Sequence, residues 1–348
     1  MDDITATAVG TPNIALVKYW GRRDAVLNLP MNSSFSLTLD ESLRTTTSVM
    51  FSDSLAEDSL YVDGEIQNLN DPKNEKSAFA GKVIGILRSM SGVESKALVV
   101  STNTFPKSAG FASSASGGAA LAMAASEALG LKLDRRLLSI IARQISGSAC
   151  RSVCGGFVVW KAGEKGDGTD SYAESIAPAS HWPDVIDVIA TISSAKKKIS
   201  SSEGHTLTPK TSELYRARPG IAEEHVKRII EAVRQKDFGT VAEITMKDSN
   251  SMHAVMLDSF PPITYLNDIS RAVIYAIHEL NNAEGTPIAA YTFDAGPNAH
   301  VITLKQHKNK VVSALRDIAG DGVVVAGLGE GPRLLSEKES LIKDGVPT

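Results

Sequence analysis

Cysteine is scarce. The chain has two, Cys150 and Cys154, four positions apart and with no second pair. A structural zinc site takes four ligands, usually Cys or His, and disulfide frameworks belong to short secreted chains. Neither fits, so both residues read as reduced thiols of a cytosolic protein. No apolar run approaches the ~18 residues of a membrane span. The start, Met1-Asp2-Asp3, lacks the basic opening and apolar middle of a secretory signal, and the expected compartment is the cytoplasm. Positive charge is in slight deficit, 36 Lys and Arg against 40 Asp and Glu, a net charge of −4. Broad nucleic-acid binding needs a strong positive field and is excluded; a local basic pocket for a small anion is not. Internal repeats and low-complexity segments are also lacking.

What is present suits a folded enzyme-sized protein. The 348 residues are 43% apolar and 22% charged, so enough surface can be buried to offset the ordering entropy. The length favours two lobes or one large unit. Strands are expected at 43–51, 60–62 and 97–101, and helices at 77–90, 113–129 and 137–144, with a strand at 155–160. Pro178 and Pro183 mark a connection, which places an N-terminal lobe over 1–184. A second lobe over 185–335 opens on a strand at 185–191. Helices at 222–235, 241–256 and 270–281 follow, then strands at 289–293 and 299–304, a helix at 311–318 and a strand at 322–325. Residues 336–348 form a tail. Antiparallel-looking strands mixed with helices predict an α+β fold rather than a doubly wound sheet.

Four segments carry chemistry. The first, Pro106-Lys107-Ser108-Ala109-Gly110-Phe111-Ala112-Ser113-Ser114-Ala115-Ser116-Gly117-Gly118, follows an apolar strand and opens an Ala-rich helix. Small residues let backbone N–H groups approach an anion, so it reads as a phosphate cradle or as a tightly packed helix start. The second, Ser146-Gly147-Ser148-Ala149-Cys150-Arg151-Ser152, offers Arg151 as a fork for a carboxylate or phosphate, or as a surface ion-pair partner. The third, Asn13-Ile14-Ala15-Leu16-Val17-Lys18-Tyr19-Trp20-Gly21-Arg22, sets Lys18 at the end of an apolar run. Lys18 either serves an anionic ligand or snorkels to solvent. The fourth, Ala290-Tyr291-Thr292-Phe293-Asp294-Ala295-Gly296-Pro297-Asn298, places Asp294 after a strand and before a Gly-Pro turn, as a base or as a turn cap.

Other features weigh less. Gly327-Leu328-Gly329-Glu330-Gly331 mimics a nucleotide loop, but too little chain follows it for a βαβ unit. Ser193-Ser194-Ala195-Lys196 matches Ser-x-x-Lys without its companion motifs. There is no Walker A motif, and His253 reads as a structural histidine within a helix.

Taken in order, these segments resemble the mevalonate diphosphate decarboxylases of the GHMP kinase superfamily. The stretch from Asn13 to Asp24 is similar to that family's Asn-Ile-Ala-x-x-Lys-Tyr-Trp-Gly-Lys-Arg-Asp, and Leu29 to Ser34 continues it. Phe105 to Gly118 resembles the phosphate loop, Ser146 to Ser152 the Ser-Gly-Ser-Ala-Cys-Arg-Ser segment, and Lys198 to Gly204 the Ser-Ser-x-x-Gly stretch. Asp248 to Pro262 and Tyr291 to Asn298 resemble two further signatures.

The resemblance implies a two-lobed fold, with an N-terminal lobe like ribosomal protein S5 domain 2, a ferredoxin-like C-terminal lobe and a site in the cleft between them. It implies ATP-driven phosphorylation of the 3-hydroxyl of a phosphorylated mevalonate, then loss of phosphate and CO2. Asp294 then orients or deprotonates the hydroxyl, Lys18 supports it, Arg151 holds the substrate carboxylate beside Asn13, and Ser201 lies near the reacting centre. Tyr19, Arg22, Ser146, Gly147, Ser148 and His205 surround the substrate phosphates. Lys107, Gly110, Ser113 and Ser114 belong to the nucleotide loop. Mg2+ is implied by ATP and by no ligand motif, and a homodimer is implied by the family alone.

Four positions depart from the family pattern: Arg22 for Lys, His205 for Met, Lys107 for Thr or a neutral residue, and Phe111 for Leu. Lys107 would hold a pre-installed 3-phosphate or be an exposed loop lysine. Mevalonate 5-diphosphate is the leading substrate, with mevalonate 5-phosphate or an ATP-independent reaction on mevalonate 3,5-bisphosphate as alternatives. A GHMP kinase without decarboxylation and a non-catalytic binding protein are further readings.

Overall fold

The computed structural model describes residues 4–69, 75–105, 113–192 and 199–348. The first half opens with β1 (Ile4–Gly10), β2 (Asn13–Val17), the short pair β3 (Arg22–Asp24) and β4 (Leu29–Pro30), and β5 (Ser34–Thr38). Next come β6 (Thr45–Ser52), β7 (Ser59–Val62), β8 (Glu65–Asn68), α1 (Glu75–Ser91) and β9 (Lys96–Asn103). Three helices follow, α2 (Ser113–Ala128), α3 (Arg135–Arg143) and α4 (Gly147–Ser152), then β10 (Phe157–Trp160) and β11 (Ala173–Ala177). The second half holds β12 (Val185–Ala190), α5 (Ser201–Thr211), α6 (Arg218–Gln235), α7 (Phe238–Leu257), α8 (Asp268–Glu284), β13 (Ala289–Phe293) and β14 (Ala299–Leu304). The chain closes with α9 (Lys308–Ala319), β15 (Val323–Ala326), β16 (Arg333–Leu334), β17 (Ile342–Lys343) and β18 (Val346–Pro347).

These elements form the expected α+β arrangement. One sheet has the order β16-β1-β6-β9-β7-β8, a second β11-β10-β5-β2 and a third β13-β14-β12-β15. Among these sheets' pairings only β7 with β9 is parallel. Strand β16 pairs with β1, so the chain returns to the first sheet near its end. The Gly327–Gly331 stretch lies along that return: Leu328 bridges Leu39, and the Gly327 carbonyl accepts from Asp40 N–H. It packs the two halves together rather than opening a βαβ unit.

Local chemistry explains the elements near the site. Helix α2 buries Ala119, Ala120, Ala122, Ala124, Ala125 and Ala128. Alanine favours helix and its small side chain lets the axis lie close over β1 and β6. Helix α5 starts at a capping box in which Ser200 Oγ accepts from Glu203 N–H and the Glu203 side chain accepts from Ser200 N–H. One apolar cluster spans both halves, joining Ile14, Leu16, Phe35, Leu37 and Phe157 to Ile189, Ile229, Ile244, Ala290 and Ile302. Cutting Leu37 to Ala in such a core would cost about 2–5 kcal/mol. The shared core fixes β2 of the first half against β13 and α7 of the second. Among the described residues no helix is long and apolar enough to cross a membrane. Cys150 and Cys154 are free and buried, and burial pushes their thiols up to about 12 and about 11. Both are therefore poor nucleophiles near neutral pH.

Candidate active site

Lys18 follows directly on β2, beyond a register shift between Ala15 and Val17 that turns the strand end. Its side chain is buried, so it does not snorkel. Lys18 Nζ donates to Asp294 Oδ1 at 2.7 Å, with side-chain exposures of 2% and 50%. Asp294 follows β13 and belongs to the second half of the chain, so the pair bridges the two halves. Partial burial opposes charge on Asp294, but Lys18, with His300 and Arg151 contributing, holds its carboxyl down at about 2. Burial takes Lys18 below its ordinary range despite the pull of Asp294.

Beside this pair stands Arg151, on the short helix α4 and 5% exposed. Its Nε donates to Asn13 Oδ1 at 3.0 Å and its Nη1 to Ser34 Oγ at 3.1 Å. Asn13 in turn donates from Nδ2 to the Ser148 carbonyl and to Ser152 Oγ, both at 2.8 Å. The guanidinium is thus locked by neutral groups, with the Trp160 ring 5.9 Å away. Its charge is left for a ligand rather than spent on a protein carboxylate. Ser146 and Ser148 share a 3.0 Å hydroxyl contact at the start of α4.

A second cluster adjoins it. Tyr19 packs edge-on against Trp160 at 4.7 Å and stacks on His205 at 4.1 Å. Its hydroxyl donates to Asn28 Oδ1 and accepts from Arg22 Nε, both at 3.0 Å. Burial raises that phenol to about 12. Arg22 Nη1 also donates to Ser202 Oγ at 3.3 Å, from the first turn of α5. His205 lies between Tyr19 and Trp20, and its Nδ1 accepts from Gly21 N–H at 2.9 Å. Burial first, then Arg22 and Arg151, push His205 well below its ordinary range, so the ring is neutral and carries its proton on Nε2. Gly147 lets these rings close up: a Cβ there would fall 2.5 Å from Tyr19 Cε1. Gly21 takes φ +92°, and a Cβ there would collide with the Tyr215 hydroxyl.

The structure therefore brings together Asn13, Lys18, Tyr19, Arg22, Ser146, Gly147, Ser148, Arg151, His205 and Asp294. Ser201 is different: it is exposed at the first position of α5, where its neighbour Ser202 makes the contact with Arg22. Lys107, Gly110, Phe111 and the Ser-x-x-Lys stretch lie outside the described residues, as does the Ser113 side chain. Ser114 is exposed on α2 and borders a slot between α1, α2 and the first sheet. Leu60, Val62, Phe79 and Val99 give this slot apolar walls, Ser101 adds a hydroxyl and Gly117 leaves room, a lining suited to a planar base. Among the described residues no cluster of three or more His, Cys, Asp or Glu is fit to hold a metal ion alone. A divalent ion here would need ligand phosphates.

Sequence reasoning missed Arg218 and His225, and met Asp248 only as the start of a family signature, with no partner or role. Asp248 is wholly buried, pairing with Arg218 at 2.8 Å and His225 at 2.9 Å. The available signal was an aspartate on the apolar face of α7, in line with Val241, Met252 and Val255. His253, read as structural, packs edge-on against Phe293, and burial and Lys18 lower it to about 4.

Two mixed lobes sharing a core, with a cation from one meeting a carboxylate from the other, define a two-domain fold of the GHMP kinase kind. Residues 10–173 match the diphosphomevalonate decarboxylase-like N-terminal domain, and residues 187–333 the mevalonate 5-diphosphate decarboxylase C-terminal domain. The chain belongs to the diphosphomevalonate decarboxylase family, whose members are carboxy-lyases. It is 45% identical over 330 residues to a diphosphomevalonate decarboxylase of Aspergillus fumigatus, covering 90% of this chain and 80% of that one. The mevalonate diphosphate decarboxylase of Staphylococcus aureus superposes with a TM-score of 0.88 at 33% identity, over 96% of this chain and 98% of that one. A structure of MDDEF in complex with MVAPP, AMPPCP and magnesium gives 0.87 at 35% identity, over 96% and 99%.

Proposed function

We propose that this protein converts mevalonate 5-diphosphate and ATP to isopentenyl diphosphate, CO2, ADP and phosphate. The Lys18–Asp294 contact of 2.7 Å beside the uncompensated Arg151 carries this reading. The MDDEF complex with MVAPP, AMPPCP and magnesium supports the choice of ligands. The slot beside Ser114 takes the nucleotide, with Lys107 and Gly110 of the segment before α2, and Ser113 at the start of α2, on its phosphates. Bound there with Mg2+, ATP supplies the phosphoryl group for the 3-hydroxyl.

Asp294 accepts a hydrogen bond from that hydroxyl, aims its oxygen and takes its proton as the O–P bond forms. A carboxylate held near 2 is a weak base, so its main work is orientation. That suits phosphoryl transfer, whose loose transition state asks chiefly for positioning and charge stabilisation. Lys18 stabilises negative charge on the reacting oxygen. Arg151, fixed by Asn13 and Ser34, holds the C1 carboxylate. The C3–O bond then breaks with the phosphate leaving, and the C1–C2 bond breaks with CO2 leaving. The electron pair of that bond becomes the C2–C3 double bond. Tyr19, Arg22, Ser146, Gly147, Ser148 and His205 bind the 5-diphosphate, with His205 donating from Nε2. The family resemblance assigns Ser201, exposed at the start of α5 beside Ser202, to the reacting centre.

The test is CO2 release from mevalonate 5-phosphate, 5-diphosphate and 3,5-bisphosphate, each with and without Mg-ATP. Release from the diphosphate only with ATP, matched by ADP, is expected. Release from the bisphosphate without ATP, with none from the diphosphate in the presence of Mg-ATP, would overturn the kinase half of this reading.

A further inference from the structure

We propose that Asp248 and Ser249, adjacent on α7, are positioning residues that set the Lys18–Asp294 pair; the proposal rests on the roles given to that pair above. Lys18 has both backbone polar groups taken by side chains. Its N–H donates to Asp248 Oδ2 at 2.6 Å, and its carbonyl accepts from Asn32 Nδ2 at 3.0 Å and Arg218 Nη2 at 3.2 Å. The Asp248 carboxylate cannot swing, because α6 holds both oxygens. Arg218 Nη2 donates to Oδ2 at 2.8 Å and His225 Nδ1 meets Oδ1 at 2.9 Å.

The next residue holds the other partner. Ser249 Oγ accepts from the N–H of Phe293 at 3.1 Å, and Phe293 directly precedes Asp294. Adjacent residues on a helix point about 100° apart, so one turn of α7 reaches two strands at once. Both strands, β2 and β13, are edges of their sheets. An edge strand needs partners for its outward backbone groups. Here a single helix supplies them beside each reactive residue. A direct link between the strands, Thr292 Oγ1 to the Ala15 carbonyl, is long at 3.4 Å. Beyond the shared apolar core, the polar link that sets the separation of Lys18 Nζ and Asp294 Oδ1 therefore runs through α7. Asp248 and Ser249 touch neither reacting atom, and they act through Lys18 and Asp294.

A role confined to folding makes a different forecast. It lowers the amount or melting temperature of folded protein and leaves kcat per folded active site intact. A positioning role lowers kcat and leaves KM alone, since a ~1 Å misplacement costs about 10²-fold in rate. The experiment uses the full chain, with Ser249→Ala, Asp248→Asn and the double variant. It measures kcat per folded site and KM for mevalonate 5-diphosphate and ATP. We expect each single variant to lose about 10- to 100-fold in kcat with KM within about twofold. The double variant should lose less than the product, because both residues set one geometry. If Asp248→Asn fails to fold with Arg218 left uncompensated, Ser249→Ala decides. A folded Ser249→Ala with unchanged kcat, or a loss lying wholly in KM, overturns the proposal while the wild type remains active. A wild-type chain that releases no CO2 from mevalonate 5-diphosphate overturns the assigned reaction and this proposal together.

Discussion

Lys18 and Asp294 are 276 positions apart in the chain and 2.7 Å apart in the fold, and they are not equally exposed. The lysine side chain is 2% exposed and the aspartate 50%. The cation thus sits behind the carboxylate, and the carboxylate presents its free side to the cleft. A buried cation backing a half-open carboxylate keeps it ionised and leaves it able to accept a hydrogen bond from a substrate hydroxyl.

Lys18→Met removes the attraction and leaves the burial, so the Asp294 carboxyl moves up from about 2. The carboxylate is the working form, present above its pKa, so the acid limb of the kcat profile should shift to higher pH. Loss of the charge should also lower kcat about 10²- to 10³-fold, as for other preorganised donors. A pH–rate profile with an unmoved acid limb would show that Lys18 does not control Asp294.

Gly147→Ala should destabilise the protein and disturb the Tyr19–His205 cluster, the proposed diphosphate end of the site, together. The added methyl would fall 2.5 Å from Tyr19 Cε1 and 3.0 Å from Trp160, inside a packed cluster. Overpacking of this kind costs about 1–3 kcal/mol. Calorimetry should show a lower melting temperature, and KM for mevalonate 5-diphosphate should rise. An unchanged melting temperature would mean that Tyr19 has room to retreat.

Stability should fall as pH drops from about 6.5 toward 4, ahead of carboxylate titration. Burial lowers His253 to about 4, with Lys18 adding to it, and lowers His205 well below its usual range. Over that window the unfolded chain binds protons that the folded chain refuses, so acid favours unfolding. Asp294 adds a further loss between about pH 4 and 2, where the unfolded carboxyl takes up a proton that the folded one, held at about 2, still refuses. Urea midpoints at a series of pH values are the measurement. A His205→Met, His253→Gln variant should show a flatter slope between pH 6.5 and 4. An identical slope would assign the dependence to other groups.

Short motifs made Lys18, Arg151 and Asp294 legible, because each sits at a strand end or on a short helix whose motif neighbours are close in sequence. The long helices were legible too: the apolar spacing at 241–256 falls within α7, Phe238–Leu257. The Lys18 environment was not legible locally, since snorkelling and ligand service give the same pattern; the family resemblance paired it with Asp294, and the fold shows the contact. The roles of Asp248, Arg218 and His225 escaped because their meaning lies in packing between α6, α7 and β2, which no local pattern encodes. The pairing of Arg333–Leu334 with β1 escaped for a simpler reason: two residues carry no period. Ser202, rather than Ser201, touches Arg22 because the cap at Ser200 sets the phase of α5.

In the proposed reaction Asp294, backed by Lys18, aims the substrate hydroxyl. Single-turnover phosphorylation and CO2 release by Asp294→Asn test it most directly, alongside the KM for mevalonate 5-diphosphate. The amide keeps the shape and loses the charge. A fall in kcat of about 10³-fold or more with KM within a few-fold is the result this account requires. A near-normal rate of CO2 release would contradict it.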